Sequence, residues 1–301
     1  MDNKTVLVTG ATGFIGRYFC QSAKARGLHV IALTRNEEKA RDRLPGIQAV
    51  EDLQYLSKTK KIHYVINLAG EALVGERWNI PRKQQFLDSR IGVTDKLFEF
   101  FKGVDEPPDV LISGSAVGYY GPHYDKVLDE AAKPHESFSH QLCMAWEHCA
   151  ARFTQLGTRV CYLRTGIVLG PDDGALGRML TPFKLGFGGR LGNGKQWMSW
   201  IHLDDEVALI FHCLKRSDIT GSINGSSPNP VTNMKFSQTL GKVLSRPVLF
   251  PMAPAVARLL FGEMADELLL TGQRVYPRKA LESGFKFSYP ELQQALEQIL
   301  K

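Results

Sequence analysis

The stretch TVLVTGATGFIG, residues 5 to 16, constrains the fold more than any other part of the chain. An apolar run passes directly into Gly10, Gly13 and Gly16, and an amphipathic helical pattern starts at once. Glycine at such places allows a tight turn, lets backbone approach a pyrophosphate, and permits close packing of helix on strand. The helix N-terminus then offers unpaired N–H groups to an anion. Gly10, Thr12, Gly13, Phe14, Ile15 and Gly16 are therefore the candidate cradle of a nucleotide diphosphate. The alternative, a glycine turn with no ligand, is disfavoured by the strand before it and the helix after it.

The remainder of the first 165 residues alternates short β-branched runs with longer helical patterns. Strands are expected at 5–9, 29–33, 47–50, 64–68, 110–113 and 159–165, and helices at 14–26, 37–44, 81–101 and 139–155. This alternation predicts an α/β fold, a Rossmann-type doubly wound parallel sheet. After Gly170 the texture becomes glycine-rich and irregular, and further helices are expected at 203–214, 234–244 and 293–300. The expected organisation is a nucleotide-binding domain over 1–170 and a small C-terminal α/β substrate or cap region over 171–301 that returns elements to the sheet. Within it three prolines between Pro247 and Pro290 suggest a small helical cap.

Charge and composition narrow the classes of function. The net charge is +6, yet the basic residues are spread along the chain, and the densest cluster at 58–61 lacks interleaved aromatics, so a nucleic-acid surface is not expected. No run of about 18 apolar residues occurs, so no membrane partner is expected and a cytoplasmic location is the default. The five cysteines are scattered without metal-ligand spacing and read as reduced thiols, with no metal expected.

The second strand, HVIALTR, ends in Thr34 and Arg35, nineteen positions past the last glycine. A carboxylate there would accept from the two ribose hydroxyls of NAD, whereas a guanidinium pairs with a phosphate. The expected cofactor is therefore NADP(H), with a solvated loop arginine as the alternative for Arg35. Asp52 and Leu53, beyond the third strand, are expected to border the adenine. Leu68, Ala69, Gly70 and Glu71 end the fourth strand and offer small residues and backbone amides on the far side of the cleft.

TGATGFIG, NLAGE, SGSAVGYYG, LRTGIVLGP and WIHLDD together resemble the extended short-chain dehydrogenase/reductase superfamily, the branch of nucleotide-sugar epimerases and reductases. AGEALVGERW, NGSSPNPVTN and GEMADELLLTGQRVYPRKALESGFKF resemble more narrowly the YfcH-like epimerase family, a resemblance that implies a C-terminal module of unknown function at about 247–297. The resemblance implies hydride transfer at a nicotinamide and a small polar, nucleotide-linked substrate. A serine would hold the substrate oxygen, and a tyrosine tuned by a lysine four residues later would move the proton. Ser115, expected in the loop after the fifth strand, matches the serine, and Ser113 would lie under the nicotinamide.

The tyrosine and lysine are absent. Counting back from Glu147 places the tyrosine position on His140 and the lysine position on Met144; a one-residue shift gives Ser139 and Cys143. His140 and Tyr119 are the remaining candidates for moving a proton, with surface or packing roles as alternatives. Arg164 is a candidate for the cofactor side and Arg90 for a phosphate or carboxylate; a paired structural arginine is the alternative for both. Asp204 and Asp205 are expected to cap a helix. Two functions follow: an NADP-dependent oxidoreductase or epimerase, or a catalytically silent NADPH-binding sensor or docking protein. The expected partner is a small-molecule substrate, and formation of a homodimer is compatible with either.

Overall fold

A computed structural model describes residues 3–171 and 173–301. Seven strands form one parallel sheet: β1 (Thr5–Thr9), β2 (His29–Leu33), β3 (Gln48–Val50), β4 (Tyr64–Asn67), β5 (Val110–Ala116), β6 (Arg159–Thr165) and β7 (Gly221–Gly225). Their order is β7-β6-β5-β4-β1-β2-β3, so the winding reverses between β1 and β4. In an open sheet of this kind the ligand crevice lies outside the carboxyl ends of the strands at that reversal.

Helices cover both faces: α1 (Phe14–Ala25), α2 (Glu37–Arg43), α3 (Ile80–Leu87), α4 (Val93–Lys102), α5 (Phe138–Ala151), α6 (Gly174–Lys184) and α7 (Leu203–Lys215). In β1, Val6 and Val8 enter the cluster under α1 and α7, while Leu7 enters the opposite cluster under α4 and α5. None of the three is exposed, as a parallel strand buried on both faces requires. Helix α1 buries Gly16, Phe19, Cys20 and Ala23, one stripe at helical spacing, and Phe19 stacks on Phe211 of α7 at 4.9 Å. On the other face Phe98 of α4 meets Phe153 edge-on at 5.6 Å. The chain after 170 adds β7 to the sheet edge, paired in parallel with β6. It also adds α8 (Asn233–Leu244), α9 (Pro254–Phe261), α10 (Arg278–Glu282) and α11 (Leu292–Leu300).

Three expectations are corrected. The helix expected at 81–101 is interrupted by a π turn at Asp88–Gly92. Hydroxyls there take main-chain carbonyls: Ser89 Oγ donates to Phe86 O (3.1 Å) and Thr94 Oγ1 to Arg90 O (2.6 Å). Strand β5 continues three residues past its expected end, so Ser115 is a strand residue in register with Arg164 rather than a loop residue. Strand β7 carries no local strand signal, because GSING lacks the β-branched run that marks the others. Finally, the cap of α7 is His202, whose Nδ1 accepts from Asp204 N, whereas Asp205 turns inward and accepts from Ser288 N and Tyr289 N.

Glu206, in the first turn of α7, is fully buried. Its Oε1 accepts from Thr165 Oγ1 at 2.7 Å, and among the described residues its Oε2 has no partner. Burial pushes this carboxyl up to about 8. The native state therefore holds a proton that the unfolded chain releases above about 4.5, and stability falls as pH rises from there toward 8. Glu206→Gln keeps the acceptor and removes the titration. Chemical denaturation of both proteins from pH 5 to pH 9 is expected to show the variant gaining on the wild type up to about pH 8, by an amount on the order of a few kcal/mol.

Candidate dinucleotide site

The glycine turn fits a diphosphate by what it lacks. Gly10 has φ of 65°, and a Cβ on it would lie 2.5 Å from the Leu68 carbonyl oxygen at the end of β4. A Cβ on Gly16 would lie 2.2 Å from the Gly10 carbonyl oxygen, so α1 could not approach β1 with any side chain there. Gly13 is the N-cap of α1 in extended conformation, with no side-chain cap and no acidic residue in the first turn. The N–H groups at Phe14 and Ile15 thus open the helix with its positive end toward the crevice. Phe14 turns its ring away, against Gly170 and Gly174. A residue not anticipated from sequence joins this rim: Arg43 Nη1, from the end of α2, donates to the Thr12 carbonyl at 3.1 Å.

At the end of β2, Thr34 uses its hydroxyl within its own turn, with Asn36 N and O at 3.3 and 3.2 Å. The Arg35 side chain is 94% exposed, and its contact is a loose one, 3.7 Å from Glu71 Oε2 across the crevice. Glu71 Oε1 lies at the same distance from Arg82 Nη1. The two expected adenine neighbours differ in what they expose. The Asp52 carboxylate caps the short 3-10 turn that follows it by accepting from Gln54 N, and the Leu53 side chain is buried in the core beneath. Leu53 can meet an adenine only through its backbone, whereas the exposed Asp52 carboxylate keeps Oδ2 for a further donor.

The end of β4 is locked from below. Thr9 Oγ1 donates to Asn67 Oδ1 (2.7 Å), and Asn67 Nδ2 donates to Thr94 Oγ1 (2.8 Å). The amides expected to face the cofactor are taken internally: Leu68 N by Thr9 O, Ala69 N by Thr9 Oγ1 and Glu71 N by Ser89 Oγ. What Leu68 and Ala69 offer a ligand is a close backbone surface rather than donors.

Ser113 is fully buried in β5, and two residues on Ser115 Oγ donates to Glu147 Oε1 at 2.7 Å. Glu147 is gripped by Arg164 through Nε at 2.8 Å and Nη2 at 2.9 Å, a bidentate pair. Arg164 Nη1 continues to the Tyr120 hydroxyl (3.1 Å), which donates to Asn224 Oδ1 (2.7 Å). Burial pushes the Tyr120 phenol up to about 12 against the lowering pull of Arg164. The Arg164 guanidinium also lies 3.4 Å over the Tyr119 ring. Arg164 is only 4% exposed, so its expected place on the cofactor side is corrected: it neutralises Glu147 inside the protein.

Helix α5 begins at the Ser137 cap. His140 is buried with Nδ1 2.6 Å from the Tyr119 carbonyl; that oxygen can only accept, so Nδ1 carries the hydrogen and Nε2 is the basic nitrogen. The Met144 side chain is half exposed. Cys143, in contrast, is buried beside Ser115, where burial pushes the thiol up to about 11. The shifted register, Ser139 and Cys143, is therefore the one that faces the Ser115 strand end, with both residues packed on Gly118. Glu267, from a π turn 128 residues further on, accepts from Phe138 N, Ser139 N and Ser139 Oγ (2.7 Å). No spacing in the sequence signals that contact.

This architecture agrees with a match of residues 6–224 to the model of the NAD dependent epimerase/dehydratase family. The chain belongs to that family. Residues 253–299 match a second model, a domain of unknown function (DUF1731). An epimerase family protein SDR39U1 homolog from Arabidopsis thaliana, a chloroplastic protein, is 39% identical over 99% of this chain and 87% of its own. Epimerase family protein YfhF of Bacillus subtilis is 35% identical over 98% of this chain and 97% of its own. The crystal structure of human epimerase family protein SDR39U1 with NADPH superposes with a TM-score of 0.89 at 35% identity, covering 98% of both chains. Among the described residues no helix is long and apolar enough to cross a membrane.

Breaking the buried ion pair from one side strands a charge. Glu147→Ala is expected to lose about 3–5 kcal/mol of unfolding free energy in urea titration. The double variant Glu147→Gln with Arg164→Met is expected to recover most of that loss.

Proposed function

We propose that the protein binds NADP(H) and uses it as an oxidoreductase or epimerase on a small polar, nucleotide-linked substrate, in the cytoplasm. The observation that carries the cofactor reading is Arg35: an exposed guanidinium at the end of β2, beside the glycine turn, held by nothing stronger than a 3.7 Å contact. A 2′-phosphate there would replace that contact with a charge-assisted pair. The relative solved with NADPH supports the same choice. The blocks at 69–78 and 262–287 support the narrower placement among YfcH-like epimerases.

Bound NADP(H) supplies hydride transfer at its nicotinamide ring. The chain's own residues orient. Ser115 has its hydrogen directed to Glu147 and so presents lone pairs, which suits a substrate hydroxyl better than a carbonyl. Glu147 has both oxygens taken by Arg164 and one of them also by Ser115. His140 Nε2 is the basic nitrogen nearest the start of α5. The second reading, a silent NADPH-binding sensor or docking protein, is favoured by Ser139 and Cys143, neither of which is an acid or base of useful strength at neutral pH.

Calorimetric titration is expected to show Arg35→Ala weakening NADPH about 10- to 100-fold while changing NADH less than about threefold. Equal losses for both dinucleotides would remove Arg35 from the 2′-phosphate. Oxidation of bound NADPH by a panel of carbonyl compounds and nucleotide sugars, followed by absorbance, separates the enzyme from the sensor. A panel without turnover despite tight NADPH binding selects the sensor.

A further inference from the structure

We propose that the C-terminal region carries a membrane-docking surface: the loop at 184–195 and helix α9 rest on an anionic lipid bilayer, with cations at the headgroups and apolar tips beneath them. The expectation of no membrane partner rested on the lack of a spanning run, and a surface contact needs no such run.

Charge sets this surface apart. Residues 174–203 and 219–262 contain eight Lys or Arg and no Asp or Glu. The whole chain carries 37 basic and 31 acidic residues, so its acids are concentrated elsewhere. Lys184, Arg190, Lys195 and Arg246 are exposed, and among the described residues none of them has a carboxylate partner. Arg246 Nε donates to the Lys184 carbonyl at 2.9 Å, which brings two of these cations together.

Between the cations, apolar side chains stand clear of the protein. The backbone at 188–192 runs beside 250–252: Phe250 N donates to Gly188 O at 3.4 Å, Met252 N to Arg190 O at 2.9 Å and Gly192 N to Met252 O at 2.9 Å. A Cβ on Gly189 would lie 1.9 Å from the Phe250 carbonyl oxygen, so the two segments touch through bare backbone. Leu185 and Leu249 are 67% and 70% exposed, and the Phe187 and Phe250 rings, 5.8 Å apart, each remain more than half exposed. Helix α9 follows directly. Of its residues PAVARLLF only Ala257 is buried, and Val256, Leu259 and Leu260 form one exposed stripe at helical spacing. Arg77 fixes the end of this helix by donating to Leu259 O and Leu260 O. Exposed apolar side chains gathered in this way mark a contact surface.

Lipid fits this surface better than the other occupants. A second copy of the chain, docked through the same patch, would set cations against cations with no acid to offset them. A folded protein partner meets its anchors in fitted pockets, whereas here leucines and phenylalanines stand on loop tips and on a helix of two turns. A bilayer interface needs no fitted outline. Phe and Leu enter the acyl boundary while Lys and Arg stay with anionic headgroups.

Flotation of the intact chain with vesicles of phosphatidylcholine, alone or with about one-third phosphatidylglycerol, tests this. The wild type is expected to bind the anionic vesicles at least about tenfold more strongly than the neutral ones, and to release them between about 0.1 and about 1 M salt. Phe187→Ser with Phe250→Ser removes two exposed rings, and Lys184→Glu with Arg190→Glu reverses two exposed charges. Each pair is expected to lose about tenfold in vesicle binding at an unchanged melting temperature. Leu259→Ser with Leu260→Ser is a second apolar pair, and it carries the test if the phenylalanine pair does not fold. A wild type that ignores anionic vesicles at low salt, or unchanged binding in the charge pair or in both apolar pairs, would overturn the proposal. Without vesicle binding, a dimer that the phenylalanine pair dissociates in sedimentation equilibrium would assign the surface to a second copy instead. Retention of polyglutamate without vesicle binding would assign it to an acidic protein.

Discussion

Backbone packed on backbone at the end of β1 is the constraint on which the crevice depends. The Gly10 turn rests on the Leu68 carbonyl and Gly16 rests on Gly10, at separations that no β-carbon could occupy. This contact sets how near α1 stands to the sheet, and hence where its uncapped N-terminus points. It also fixes β4 beside β1 at the one place where the strand order reverses. The chain of hydrogen bonds from Thr9 through Asn67 and Thr94 to Arg90 O then passes that registration to the helices behind the sheet. A rigid floor of this kind lets few side chains do the binding.

The arginines divide by burial, and burial explains their tasks. Arg164 sits among β5, β6 and α5 with almost no exposure, and an unpaired cation there would be costly; Glu147 removes the cost and in doing so takes the hydrogen of Ser115. Arg35 is exposed, keeps its hydration, and has only the 3.7 Å contact with Glu71. Arg90 lies between these limits, with one side fixed and the other open. The site thus combines a neutralised interior with charge kept at its rim.

The C-terminal segment is joined to the crevice through polar contacts of long sequence separation. Glu267 closes the start of α5, Gln196 Nε2 donates to Leu269 O, and Asn224 Nδ2 donates to Tyr276 O. Met264 and Leu268 pack with Trp78, Phe86 and Phe138 beside the same helix. The start of α5 is therefore closed by residues far along the chain.

The sequence alone determined the glycine turn, the alternation of strands and helices, the missing tyrosine and lysine, and a guanidinium where a carboxylate would serve NAD. Each is a short-range property: a dihedral, a period or a charge at a counted distance from a marked turn. The tertiary structure decided the rest. It chose the register at the start of α5, turning Met144 outward and Cys143 inward, and it carried Ser115 into a strand. It took Arg164 into an internal pair, set the Asp52 carboxylate as the cap of a 3-10 turn, and opened a π turn at Arg90. Those outcomes depend on which atoms meet across segments tens of residues apart. A buried polar group takes whichever partner packing brings to it, and no local pattern names that partner.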